Sequence, residues 1–373
     1  MNTNKMKIIH VFHELKFSGA EIMYVAAAPI FQENECTLMV LATGPNLGEY
    51  AGFFEHAGYK IFHKQIPTYR NYIKLLLFYR EVIKLFKKEQ VDIVHIHSHG
   101  TMLGMSFAAW MVNAKSICTL HSVFPKRFLL YPYHFLMRWI AGHLFHCQFQ
   151  SISDSVYDNE KNLFHNRTIK IYNWYNNRRY FPVEHDEKLM VRRELNIDIR
   201  AFILISIGRC SGNKRHADII KALPLIIKEH SNCLYLHLGE GEFTESEMKL
   251  ASDLKVNKHI LFCGNQVDVR KYLIASDVYL MTSQFEGISL TTIEAMACNI
   301  PAILYDVPGL RDFNKRGENS FLIPADFILL AKKAIFLREN MDVCQETSNR
   351  AKVFVENTFN MKTNVLQILD LYR

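Results

Sequence analysis

Two kinds of segment alternate along the chain. Short β-rich runs recur at 7–12 (KIIHVF), 36–42 (CTLMVLA), 59–66 (YKIFHKQI), 92–98 (DIVHIHS), 115–122 (KSICTLHS), 145–153 (FHCQFQSIS) and 169–174 (IKIYNW). Between them lie stretches with apolar residues three or four apart: Ala20–Phe31, Tyr72–Glu89, Thr101–Val112 and Asp154–Phe164. Strands without polar alternation are buried on both faces, and their alternation with helices makes the sheet parallel. The pattern repeats with 202–208 (FILISIG), 233–239 (CLYLHLG), 259–264 (HILFCG), 278–283 (VYLMTS), 301–306 (PAILYD) and 320–324 (SFLIP). Its helices are predicted at Ala217–Glu229, Glu245–Leu254, Val269–Ala275 and Thr291–Ala297. The polar stretch Asn176–Asp186, with Pro182, breaks the period and reads as an interdomain linker. The prediction is α/β: two doubly wound, Rossmann-like sheets facing across a cleft, with ligands outside the carboxyl ends of the strands.

Composition narrows the class. A chain of 373 residues with 49% hydrophobic and 22% charged side chains holds two sizeable cores and is neither disordered, collagenous nor a coiled coil. The net charge is +7 (44 − 37), and +6 of it (18 − 12) lies in residues 1–175, so the front half is the better match for an anionic surface or substrate. None of the eight cysteines lies within four residues of another, which excludes a CxxC metal knuckle or redox pair and reads as a reduced, cytoplasmic protein. The N-terminal segment lacks a signal-peptide pattern. The longest stretch without Asp, Glu, Lys or Arg, Ile93–Ala114, contains His95, His97, Ser98, His99 and Gly100 and reads as strand, turn and helix rather than a membrane span. A small basic excess without zinc-finger, RNP or helix-turn-helix signatures argues against nucleic acid.

Chemistry concentrates in the second half. In SQFEGISLTTIEAMACNIP (283–301), Glu286 follows a strand, Gly287 permits close backbone approach, and a helix starts near Leu290 or Thr291. The free amides of such a helix start form an anion site, flanked here by the carboxylates of Glu286 and Glu294. In ISIGRCSGNKRHADIIKAL (205–223), Arg209 and Lys214 follow a strand that ends at Gly208 and can clamp a diphosphate, one as a fork and one as a point charge. Taken singly, these are also ordinary features of a solvated helix and a surface loop; it is the combination that points to a site.

Together these residues resemble the family-4 glycosyltransferases, retaining enzymes of the GT-B fold that use nucleotide-sugar donors. The resemblance rests on Gly208, Arg209 and Lys214, on FCGN…VRKYLIASDVYLMTS (262–283), and on Glu286, Gly287, Glu294, Ala295, Met296, Ala297 and Pro301. Asn173, Phe181, Pro182, Thr119, His121, Gly19 and Glu21 extend it over most of the chain. It implies an acceptor-binding domain over 1–178, with a helix of about 359–373 packed back on it, and a nucleotide-sugar-binding domain over 179–358. By the same resemblance Arg209 and Lys214 hold the donor diphosphate, Glu286 and His121 contact the transferred sugar, and Glu294 binds the ribose. The amides of Gly287, Ile288 and Ser289 complete the phosphate cradle, Gly19 leaves space beside the diphosphate, and Gly208 belongs to the donor-binding set. The donor is UDP- or GDP-linked, the acceptor a saccharide or lipid-linked saccharide of a bacterial surface polysaccharide, and no cofactor or metal is needed. Two other readings share the residues: a GT-B nucleotide-sugar 2-epimerase and a non-catalytic sugar-nucleotide-binding protein. Departures from the family pattern are Ser18 before Gly19, Arg215 for a common glycine, Cys298-Asn299 for a glycine, and Asn173-Trp174 for Asn-Gly. Asn299 is expected to keep the left-handed helix stop.

Two weaker signals remain. His95, His97 and His99 alternate, which on a strand places all three on one face, either as a metal comb or as hydrogen-bonded rings at the edge of the site. In Arg70–Lys88, Leu75, Phe78, Tyr79, Val82, Ile83, Leu85 and Phe86 share one helical arc, while Ile73 and Leu77 lie among Arg70, Lys74, Arg80, Lys84, Lys87 and Lys88 on the other. That basic-apolar face, and the aromatic-basic segment Phe124–Trp139, fit either an ordinary solvated surface or peripheral contact with the anionic inner face of the cytoplasmic membrane.

Overall fold

In the computed structural model, which describes residues 5–68, 71–123 and 130–373, every strand lies parallel to its neighbours. The first sheet contains β1 (Met6–Phe12), β2 (Cys36–Ala42), β3 (Lys60–His63), β4 (Ile93–Ile96), β5 (Lys115–Leu120), β6 (Gln148–Ser151) and β7 (Ile169–Lys170) in the order β3-β2-β1-β4-β5-β6-β7. The second contains β8 (Phe202–Ile207), β9 (Cys233–Leu238), β10 (Ile260–Gly264), β11 (Val278–Met281), β12 (Ala302–Tyr305) and β13 (Phe321–Ile323) in the order β10-β9-β8-β11-β12-β13. The chain divides into two compact units, one running through Trp174 and including Met361–Arg373, the other Tyr175–Asn360. In each sheet the strand order reverses beside the first strand, between β1 and β4 and between β8 and β11. Such switch points are where α/β sheets place ligands.

Local sequence accounts for the elements. The helix Tyr72–Glu89 starts where the Asn71 side chain accepts the Lys74 amide at 3.0 Å, and it ends where Gln90 turns left-handed at φ 55°. It buries Phe78, Val82, Leu85 and Phe86, the arc expected from the wheel, at about 1.5–3 kcal/mol for each large side chain. The helix Leu290–Ala297 is capped by Ser289, whose hydroxyl accepts the Thr292 amide at 3.2 Å. Asn299, at φ 62°, ends it in a Schellman turn: its amide reaches the Met296 carbonyl and that of Ile300 the Ala295 carbonyl, both at 3.0 Å.

Several expectations need adjustment. Helix His185–Glu194 begins inside the stretch read as linker, because its buried face is only Val191 and Arg192 and its apolar pattern is thin. The run 169–174 keeps just two strand residues, since Trp174 leaves the sheet edge for the core. There its indole donates to the Met23 carbonyl at 3.0 Å and packs edge-on against Tyr24. This packing explains a tryptophan where the family commonly has glycine. The C-terminal helix Met361–Tyr372 packs on Gly19–Glu33, with Asn364 donating to the Asn173 carbonyl at 3.0 Å. Arg70 and the first six residues of the aromatic-basic segment, 124–129, lie outside the described residues. No helix among the described residues is long and apolar enough to cross a membrane.

Candidate active site

In the second unit, the loops leaving β8 and β11 emerge side by side because those strands are neighbours. They are laced together: the Gln284 amide donates to the Asn213 carbonyl (2.8 Å), the Asn213 side chain to the Phe285 carbonyl (3.1 Å), and the Thr282 hydroxyl to the Lys214 carbonyl (2.9 Å). Across this seam the Lys214 ammonium lies 2.7 Å from Glu286 Oε1, which also accepts the Ser283 hydroxyl at 2.6 Å. Both partners are largely shielded, at 20% and 14% side-chain exposure, so this pair is far less screened than a surface one. Gly208 gives the lysine its space, since a Cβ there would sit 3.2 Å from Lys214 Cε. Gly309, at φ 83°, lies against the other carboxylate residue; a Cβ would meet the Glu286 carbonyl oxygen at 2.2 Å. Arg215, where glycine is common in the family, is left-handed at φ 53° and is tied down by an ion pair to Asp218 at 2.7 Å.

Arg209 occupies the same loop but points elsewhere. Its guanidinium contacts Glu242 Oε2 at 3.2 Å with 71% of the side chain exposed. Gly287, Ile288 and Ser289 are buried and lead into the helix start. Glu294 is on that helix, 4% exposed. Burial pushes its carboxyl up to about 8, against the pull of the Tyr180 hydroxyl and the Arg179 charge. Arg179 is itself anchored on Asp268 Oδ1 at 3.0 Å and the Val267 carbonyl at 2.9 Å.

The first unit carries the remaining candidates. Gly19 is the exposed first residue of its helix, next to the Ser18 cap whose hydroxyl bonds the buried Glu21; burial raises that carboxyl to about 7. His121 follows β5, and desolvation lowers its imidazole to about 4, so it is neutral at physiological pH. It belongs to a chain of rings: His121 Nε2 to His97 Nδ1 at 3.1 Å, then His97 Nε2 to His10 Nδ1 at 3.0 Å. The three-histidine comb is therefore corrected. β4 ends at Ile96, His95 pairs with Tyr372 (2.5 Å) and Thr119 (2.6 Å), and His99 enters a 3-10 turn beside His134. Although ring nitrogens of His10, His95 and His97 lie close enough for a metal, both nitrogens of His95 and of His97 already have polar partners. These rings form a hydrogen-bonded network.

Lys214 thus meets both Gly208 and Glu286, Arg209 shares the loop after β8 with Gly208 and Lys214 but turns to Glu242, and Glu294 forms a separate buried group with Tyr180 and Arg179. Sequence reasoning missed Ser283, Glu242, Tyr180, Arg179 and His10. Of these, His10 left a trace, as a polar residue inside the apolar run 7–12.

Parallel sheets with acids, cations and a helix start gathered at a strand-order reversal define a Rossmann-like enzyme site. Residues 17–181 match the family described as Glycosyltransferase Family 4, and residues 188–354 match Glycosyl transferases group 1. The chain belongs to these family-4, group 1 enzymes of the GT-B fold, and it is a glycosyltransferase. It is 24% identical over 385 residues to the Escherichia coli UDP-Gal:alpha-D-GlcNAc-diphosphoundecaprenol alpha-1,3-galactosyltransferase, covering 99% of this chain and 97% of that one. It is 24% identical over 316 residues to the alpha-monoglucosyldiacylglycerol synthase of Acholeplasma laidlawii, covering 79% and 78%. Anabaena HepE, solved in complex with UDP, has the same fold with a TM-score of 0.84 at 17% identity over 98% of this chain and 99% of that one.

Proposed function

We propose that this glycosyltransferase is a retaining enzyme that moves a sugar from a UDP- or GDP-linked donor to a saccharide or lipid-linked saccharide of a bacterial surface polysaccharide such as capsule, O-antigen or lipopolysaccharide. The observation that carries the reading is the shielded Lys214–Glu286 pair beside the Ser289-capped helix start at the β8/β11 reversal. The names of the E. coli and Acholeplasma relatives and the UDP bound to HepE support it. As the bond from the anomeric carbon to the diphosphate breaks, negative charge grows on the departing phosphate. Lys214, Arg209 and the helix-start amides stabilise it. The acceptor hydroxyl attacks from the same face, and its proton passes to the departing phosphate oxygen. Glu286 orients the sugar and Glu294 the ribose, and the family resemblance gives His121 a role toward the transferred sugar. The leaving charge being carried this way, transfer proceeds without added Mg²⁺ or Mn²⁺.

The test is a thermal-shift screen of nucleotide sugars. A donor at about 100 times its Kd stabilises the folded chain by about 2.7 kcal/mol, so one base and sugar should raise Tm by several degrees. If no nucleotide sugar moves the transition, the reading fails. NMR of the product should show the anomeric configuration of the donor, and an inverted product would remove the retaining mechanism.

The first unit adds a membrane-facing reading. Tyr72, Ile73, Leu76 and Leu77, 53–75% exposed, stand at the start of Tyr72–Glu89 among Lys74 and Arg80. Tyr133, Leu136 and Trp139 are exposed on Tyr131–His143, and both helices pack against Met102–Trp110. Apolar side chains set among cations fit the headgroup layer of an anionic leaflet, where each basic residue contributes about 1 kcal/mol. Purified protein should co-sediment with anionic vesicles at low salt, and Leu76→Gln with Ile73→Gln should release it. No binding by the unmodified protein ends this reading.

A further inference from the structure

A second cluster lies in the same unit behind the Arg209 loop. Cys210 directly follows Arg209, His216 opens the helix His216–Glu229, His237 is on β9, and Glu247 is on Thr244–Asp253. The four are at most 3% exposed. One sulfur, two ring nitrogens and one carboxylate oxygen lie within 4.8 Å of one another. Cys210 Sγ is 3.8 Å from His237 Nε2, His216 Nδ1 is 3.4 Å from Glu247 Oε1, and His237 Nε2 is 2.9 Å from Glu247 Oε2. Tetrahedral zinc with bonds of about 2.0–2.3 Å would separate its donors by about 3.3–3.7 Å, close to these spacings.

We infer that Cys210, His216, His237 and Glu247 form a buried structural site for a divalent transition metal of the zinc type. Sulfur, imidazole and carboxylate are the donors zinc takes, whereas Mg²⁺ and Ca²⁺ want oxygen alone. Metal binding expels the thiol proton of Cys210. A thiolate, a carboxylate and two neutral imidazoles then balance the two positive charges, so the dry interior holds no net charge. His216 Nδ1 is buried and makes no hydrogen bond even though Glu247 is 3.4 Å away, which leaves that lone pair for a metal. Packing orients the other ring: His237 lies 4.6 Å from the His216 ring and 5.1 Å from that of Phe262. The metal would tie the loop bearing Arg209 and Lys214 to β9 and two helices. The site does not depend on which donor the enzyme uses.

The experiment uses the full chain without a polyhistidine tag. After dialysis, elemental analysis should find zinc stoichiometric with the chain. Protein stripped by chelator and titrated with Co²⁺ should develop tetrahedral ligand-field bands and a thiolate-to-cobalt charge-transfer band. Cys210→Ser should abolish the charge-transfer band, and Glu247→Gln should weaken zinc binding by more than about a hundredfold, beyond what changes outside the ligand shell cost. A dialysed wild-type chain free of metal, whose stripped form gives no charge-transfer band with Co²⁺, would overturn the site and leave Glu247 hydrogen-bonded to His237 alone. The wild-type measurements decide the matter even if the variants fail to fold. A dialysed wild-type chain that binds a nucleotide sugar yet holds no zinc and gives no Co²⁺ charge-transfer band counts against this site alone, whereas stoichiometric zinc with no donor binding counts against the donor reading alone.

Discussion

Lys214→Met is expected to lower the kcat for sugar transfer by about 10²–10³-fold, the cost of removing one preorganised charge-stabilising donor, or about 2.7–4 kcal/mol. Methionine keeps the length and most of the packing in the space beside Gly208 but removes the ammonium. Two losses then add. The departing diphosphate loses its shielded cation, and Glu286, 14% exposed with Lys214 as its ion-pair partner, is left as a carboxylate near a growing negative charge. Ser283 still holds Glu286 in place, so the acid cannot turn away easily. Arg209→Ala should cost less in kcat and show more in KM, because this guanidinium is 71% exposed and must first leave Glu242. Steady-state transfer assays on both variants, with circular dichroism to confirm folding, check the ordering. A Lys214→Met enzyme with near wild-type kcat/KM would remove the lysine from the chemistry.

Most strands were legible as short, largely apolar runs, whereas β6 (Gln148–Ser151) is mostly polar and β7 (Ile169–Lys170) is only two residues long. Partners across sheets were not legible. His10 faces His95 in register only because β1 lies beside β4, and His121 joins through His97 because β5 is next. Nothing local in the run 7–12 announces this, whereas the visible alternation 95/97/99 dissolves because the strand stops at Ile96. The same holds for the loops after β8 and β11. Their order and charges were readable as motifs, but Ser283 on Glu286 and Glu242 on Arg209 depend on how β8, β9 and β11 lie together. The group of Cys210, His216, His237 and Glu247 escaped a search for closely spaced cysteines because its donors span 38 positions on three elements and one loop. By contrast, the helix Phe327–Glu339 could have been read, since its buried Leu330, Ala331, Ala334 and Leu337 keep helical spacing.

Donor affinity should rise about tenfold per pH unit up to pH 8 and level off above it, through the single carboxyl of Glu294. With its pKa raised from 4.5 to about 8 by burial, this group stays protonated in the folded chain at neutral pH. Ribose hydroxyls donate hydrogen bonds best to the ionised form, so binding has to expel a proton whenever the pH lies below 8. At pH 6 the apparent Kd should be about a hundredfold weaker than at pH 8.5, two pH units below the pKa. The same group makes stability depend on pH in the opposite sense. Below pH 4.5 folded and unfolded chains are both protonated and the group contributes evenly. Between 4.5 and 8 the unfolded chain ionises while the folded chain keeps its proton, so stability falls across that window and is flat above it. The titratable neighbours are Tyr180, Arg179 and Cys298. Burial pushes Cys298 up to about 12 and Tyr180 well above its usual range, and Arg179 remains a cation, so none of the three changes charge between 4.5 and 8. Glu21, raised to about 7, also titrates in the window, and Glu294→Gln separates the two. That variant should lose the Glu294 share of the fall in Tm between pH 6.5 and 8, above the range where the buried imidazoles of His10, His99 and His121 affect stability, and calorimetry in buffers of different ionisation enthalpy should find donor binding without proton release. Equal donor affinity at pH 6 and 8.5 in the unmodified enzyme would take Glu294 out of the ribose site.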